Sequence, residues 1–270
     1  MSASDKAFAG SIPKVYDDGM VPLIFAGYAE DLAREIASLS PAAVLETAAG
    51  TGVVTRALAP KLSAQTRYVV TDLNQPMLNY AAQRQGPDRR ISWQQADALD
   101  LPFSDAQFDV VCCQFGVMFL PDRIKGYREA KRVLKAGGSF IFNVWDRIED
   151  NVFANDVTDA LADIFPDDPP RFMARTPHGY CDENLMEGEL RAAGYSQIAI
   201  ERRSKLSSAP SALDVAVAYC QGTPLRNEIE ARRPDGLQAA TEHAAAAIAK
   251  LHGQGIVSAK IQALVVVAKA

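Results

Sequence analysis

Histidine is scarce in this chain: there are three in 270 residues, beside four cysteines and two tryptophans. Cys112 and Cys113 are adjacent inside an apolar run, while Cys181 and Cys220 stand alone, so no pair has the spacing of a zinc or redox motif. They read as reduced, mostly buried thiols, and no metal site is expected. No uninterrupted apolar segment reaches the roughly 18 residues of a membrane span, and the N-terminus has no basic start followed by an apolar stretch. The expectation is a cytoplasmic protein that does not insert into a membrane. Long basic runs are absent too: the net charge is −5 and charges of both signs are interspersed, which argues against a nucleic-acid partner.

What is present is enough apolar material for a large core, 48% hydrophobic against 23% charged residues. Through the first two-thirds, apolar runs alternate with helix-like segments, the pattern of parallel strands joined by crossover helices. Leu32, Ile36 and Leu39 form one helical stripe that Ser40-Pro41 breaks before the strand AAVLET. Further strands are read at RYVVTDL, ISWQQADA, FDVVCCQFG and SFIFNVW, with helices at VVTRALAPKL, from Pro76 onward, and at DRIKGYREAKRVLK, the last ending at Gly137-Gly138. FDVVCCQFG is apolar at nearly every position, so it should be central. Beyond residue 147 the alternation loosens into a proline-rich stretch, then IAIERRSKL, an alanine-rich helix and a final strand KIQALVVVAKA that is a candidate for antiparallel pairing. The expected fold is α/β: a Rossmann-like, seven-stranded, mostly parallel sheet with an antiparallel last strand and helices on both faces. A single domain over 1–270 is expected, with an N-terminal lid at about 1–40 and helical cap insertions at about 147–180 and 208–257.

The stretch VLETAAGTGVVTRAL joins the first strand to the first helix through a small-x-Gly-x-Gly turn made by Ala48, Gly50 and Gly52. In open parallel sheets ligands sit outside the carboxyl ends of the strands, where such a turn lets backbone approach closely. Thr55 stands where a dinucleotide fingerprint has its third small residue, so the turn matches a pyrophosphate loop poorly. Acids close three successive strands: Glu46, Asp72 and Asp97 should share one rim of the sheet. Asp72 follows the turn by about twenty residues, where an acid can accept both hydroxyls of a ribose.

VLETAAGTG, VVTDLNQPML, QQADALDLPFSDAQFDVVCCQFGVMFL and EAKRVLKAGGSFIFNVW together resemble the motif series of class I S-adenosylmethionine-dependent methyltransferases, close to their ubiquinone/menaquinone-biosynthesis-like branch. The resemblance covers about 40–146, and Ala48 departs from the usual glycine. It implies S-adenosylmethionine as cofactor, with Gly50 and Gly52 under its amino-acid part and Glu46 organising the loop and the ammonium. It further implies Asp72 on the ribose, Leu73 and Met77 against the adenine, Asp97 and the Ala98 amide at the adenine edge, and Gln114 beside the transferring methyl.

Methyl transfer to an O, N or C nucleophile of a small molecule needs alignment and a dry site more than it needs an acid or base. Tyr16 and Tyr28, on the aromatic N-terminal segment, are the candidate covers, a placement that such methyltransferases imply. His178, in a Pro-Gly loop, is the candidate catalytic base. Two rival readings are a nicotinamide-dependent oxidoreductase, for which Asp97 has no task, and a cofactor-binding module without turnover. Monomer and homodimer are both compatible with the sequence.

Overall fold

The computed structural model describes residues 12–270, so the first eleven positions of the expected N-terminal lid lie outside the described residues. Seven strands, β1 (Ala43–Glu46), β2 (Arg67–Asp72), β3 (Ile91–Gln95), β4 (Phe108–Gln114), β5 (Leu134–Trp145), β6 (Gln197–Ala209) and β7 (Val257–Lys269), form one sheet in the order β3-β2-β1-β4-β5-β7-β6. β1 to β5 pair in parallel. β7 runs antiparallel to both β5 and β6, as expected for the last strand. The order reverses between β1 and β4, which makes the crevice at their carboxyl ends the place for a ligand.

The sheet is built as its apolar content dictates. β4 is buried along nearly its whole length and is hydrogen-bonded on both edges, to β1 and β5. The helix Ala26–Ser38 lays Ala29, Leu32, Ala33 and Ile36 against Val44, Tyr68, Val70, Val110, Cys112 and Ile141, an uninterrupted apolar face drawn from five elements. Leu39 does not join that stripe. The helix stops at Ser38, Ser40 turns left-handed, and Leu39 is left 44% exposed. The helix Arg123–Val133 also ends before the glycines expected to terminate it, because the chain passes straight into β5 at Leu134. A register shift opposite Phe108 and Val110 absorbs Gly137 and Gly138 inside the strand.

By contact density the chain divides into two compact units: one takes the segments up to Phe25, Trp145–Gly179 and Arg203–Ala263, the other Ala26–Val144, Tyr180–Arg202 and Leu264–Ala270. The second unit carries β1 to β4 and most of β5. In the first, the alanine-rich helix Leu237–His252 packs on the helices Val152–Ile164 and Ala212–Gly222, burying Ala240, Ala244 and Ile248. Buried Asp146 organises that unit locally. Its carboxylate accepts from Gln262 Nε2 (2.8 Å) and from the Arg147 amide (2.8 Å), while Asn151 Nδ2 donates to the carbonyls of Arg147 and Gln262 (3.0 Å each).

Candidate active site

The turn after β1 is stitched to both neighbouring strand ends. The Thr47 amide donates to the Cys112 carbonyl (2.9 Å), the Ala49 amide to the Thr71 carbonyl (3.0 Å), and the Gly50 amide to Asp72 Oδ2 (2.8 Å). Ala48, Gly50 and Gly52 all hold positive φ, of 52°, 57° and 79°. The small-x-Gly-x-Gly spacing therefore marks alternate left-handed residues. At Gly52 an added Cβ would come within 2.9 Å of the Ala81 Cβ, so glycine is needed for close approach as well. At Gly50 it would meet only Met77 Cε, at 3.9 Å, and the space above this residue is open.

Register places the polar side chains. Glu46 pairs with Val70 on β2 and with Cys112 on β4; Asp72 and Gln114 lie two residues further along those strands, on the same face. Gln114 in turn pairs with Asn143 on β5. One face of the rim thus carries Asp72, the turn, Gln114 and Asn143 in a row, with Glu46 one rung below.

Glu46 is buried beneath the turn. Its Oε2 accepts from Thr55 Oγ1 (2.7 Å) and from the Tyr68 hydroxyl, and burial pushes its carboxyl up to about 7, against the pull of those two donors. Asp72 is held by the amides of Gly50 and Asn74, the latter at 2.7 Å to Oδ1. Burial raises its pKa, and the two amides pull it back. Met77 is buried in the first turn of the helix Gln75–Gln85, which Asn74 caps (3.4 Å), while Leu73 beside it is 53% exposed. Asp97 is exposed just beyond β3 and accepts from the Leu99 amide (2.9 Å); Ala98 lines a small apolar cavity with Thr47, Ala48 and Cys113. Tyr28 is fully buried, edge-on to Phe115 at 5.6 Å.

Two predicted residues belong to the other unit. Tyr16 is half-buried in the π-helical stretch Tyr16–Phe25, stacked on Phe25 at 5.1 Å. His178 is buried, 6.0 Å from the Trp145 ring, with Nδ1 2.8 Å from the Asp146 carbonyl oxygen. A carbonyl only accepts, so Nδ1 carries the proton and Nε2 the lone pair. Burial pulls the imidazole down to about 4, leaving it neutral near pH 7.

The chemistry of this rim fits an uncharged nucleoside with a short cationic tail. An open glycine cradle, a carboxylate at its edge and an unpartnered buried hydroxyl, Thr51 Oγ1, offer contacts to a ribose and an amino acid. The Gly50 amide is engaged by Asp72. Sequence reasoning did not find Thr51, the Thr55 and Tyr68 partners of Glu46, or Asn143. A lone polar residue inside FIFNVW was the available signal for the last.

Residues 45–142 match the family model of the methyltransferase domain. A demethylmenaquinone methyltransferase of Clavibacter sepedonicus is 28% identical over 174 residues, 61% of this chain and 70% of that protein. One from Deinococcus radiodurans is 36% identical over 116 residues, 43% of this chain and 48% of that one. Among solved structures, a phosphoethanolamine N-methyltransferase of Haemonchus contortus superposes with a TM-score of 0.58 at 15% identity, covering 98% of this chain and 59% of the other. The [4+2]-cyclase SpnF superposes at 0.53 with 19% identity, covering 90% and 80%. The matched methyltransferase domain, with the strand order and the rim, makes the chain a class I S-adenosylmethionine-dependent methyltransferase. The sequence relatives that it matches carry names from the ubiquinone/menaquinone-biosynthesis branch.

Proposed function

We propose that this methyltransferase acts on a protic small molecule, and that a hydroquinone-type ring, the reduced form of the quinones in its relatives' names, is the first acceptor to try. The observation that carries the reading is the row on one face of the rim, Asp72 on β2, the glycine turn on β1 and Gln114 on β4. When bound, S-adenosylmethionine supplies an electrophilic methyl group on a sulfonium. Asp72 takes the ribose hydroxyls, Leu73 and Met77 the adenine face, and Asp97 with the Ala98 amide the adenine edge. Gly50 and Gly52 let the amino-acid part lie against backbone, Ala48 shapes the entry to that turn, and Glu46 holds it from below through Thr55. Gln114 stands beside the methyl. Tyr28, packed edge-on to Phe115, is the cover within the same unit. His178, neutral and with its lone pair on Nε2, is the candidate base within its own unit.

Most of the rate comes from alignment, for which an oriented pair gains roughly 7–11 kcal/mol over free reactants. Release of S-adenosylhomocysteine, followed with 1,4-dihydroxynaphthalene kept reduced under argon, catechol and a primary amine as acceptors, tests the proposal. Stoichiometric release with at least one of them is expected. Cofactor binding without turnover of any acceptor would favour the rival reading, a cofactor-binding module without turnover.

A further inference from the structure

Among the described residues, Asn143 is a buried polar side chain on the rim to which cofactor binding gives no task. It interrupts the otherwise apolar run Phe140–Trp145, is 1% exposed, and its Oδ1 has no hydrogen-bond partner. Such an acceptor is unfavourable in a protein interior unless something donates to it. Its carbonyl is used, since the Phe115 amide donates to it at 3.0 Å. The side-chain Oδ1 is left over.

We propose that Asn143 binds the methyl acceptor, its Oδ1 accepting a hydrogen bond from an O–H or N–H of a small protic substrate. The proposal rests on the cofactor placement given above. Along the sheet, the ribose acid stands on β2, the glycine turn on β1 and Gln114 on β4; β5 comes next. Asn143 pairs with Gln114 and faces the same way, so it is the first side chain beyond the methyl group in the direction that leads away from the ribose. Three strand spacings of roughly 4.8 Å separate it from Asp72, about 14 Å in all, too far to share the ribose.

The amide is suited to orientation and not to proton removal. In the transfer step a lone pair of the nucleophile forms the new bond to the methyl carbon, the C–S bond breaks with its electron pair going to sulfur, and the displaced proton leaves through a base or water. Asn143 accepts a hydrogen bond from the substrate throughout and never takes the proton. It selects acceptors that keep a second donor on or beside the reacting atom, such as catechols, hydroquinones and primary amines.

Replacement by a near-isosteric apolar residue separates this role from a structural one. In Asn143→Leu the melting temperature should rise, because an unpartnered acceptor is removed. The Kd for S-adenosylhomocysteine should stay within twofold of wild type. The KM for whichever of 1,4-dihydroxynaphthalene, catechol or the amine the wild type methylates should rise at least tenfold, with Asn143→Asp intermediate. An unchanged KM would overturn the proposal. A tenfold weaker S-adenosylhomocysteine titration would overturn it by moving Asn143 to the cofactor. A lowered melting temperature would do so alone, even if no acceptor were turned over, because the amide would then serve the fold. Absence of S-adenosylhomocysteine binding in the wild type would instead sink the cofactor placement itself.

Discussion

Ala48 holds a φ of 52° where a glycine would be unstrained, and left-handed backbone costs an L-residue about 1–2 kcal/mol. Its Cβ also restricts Gly116, where an added Cβ would lie 2.6 Å from that of Ala48 and 2.6 Å from Cys113 Sγ. Ala48→Gly should therefore stabilise the protein by about 0.5–1 kcal/mol, the strain relieved less the extra chain entropy of glycine. Gly116→Ala should destabilise it by about 1–3 kcal/mol, and the double variant should recover part of that loss. Urea unfolding of the four proteins checks the cycle. Strict additivity would show that the two residues do not meet.

At the rung below, Glu46 is a titrating group whose sign can be worked out. Its folded value of about 7 lies above the ordinary 4.5, so the folded state binds the extra proton between those pH values. The stability that this carboxyl contributes is fully present below 4.5 and is lost as pH rises through 7. Glu46→Gln should accordingly gain on wild type by up to about 3 kcal/mol between pH 4.5 and 8. Unfolding at those two pH values measures it; a constant difference would mean that folding does not shift the Glu46 carboxyl. For Asp72→Ala, the loss of charge-assisted hydrogen bonds of about 1.5–3 kcal/mol each predicts at least a tenfold weaker S-adenosylhomocysteine Kd with the fold retained. Unchanged affinity would remove Asp72 from the ribose.

Elements differ in how plainly the sequence announces them. β4 and the turn after β1 were legible, since a buried central strand is apolar throughout and alternate left-handed residues demand small side chains. β5 was legible only from Ser139 onward. Its opening residues, Leu134 to Gly138, look like a helix terminus because glycine serves both ends of helices and irregular strand starts; the register shift that decides between them depends on β4. The acids were found by strand ends alone, but Glu46 lies a rung below Asp72, and only register and the hydroxyls of Thr55 and Tyr68 reveal that. His178 was read as a loop residue and is buried, because the carbonyl that holds it is 32 positions away in sequence. At this scale the turn is the sensitive element. Gly52→Val combines a φ of 79° with a clash at Ala81 and should cost more than about 2 kcal/mol, seen as a fall in melting temperature of several degrees.

For the whole molecule, two buried groups set opposing pH slopes. His178, drawn down to about 4 from 6.5, binds its proton only in the unfolded chain across that window, so its contribution is present above 6.5 and is lost as pH falls toward 4. Glu46 acts in the opposite sense over 4.5 to 7, and the two nearly cancel where the windows overlap. Their cancellation leaves the cofactor rim as the chain's decisive feature. Calorimetric titration of the wild-type protein with S-adenosylhomocysteine tests it most directly. One site per chain is predicted, with Gly50→Val, whose side chain fills the space above the turn, abolishing the heat while keeping the wild-type circular dichroism. An absence of heat from the wild type, or equal heat from Gly50→Val, would contradict the account.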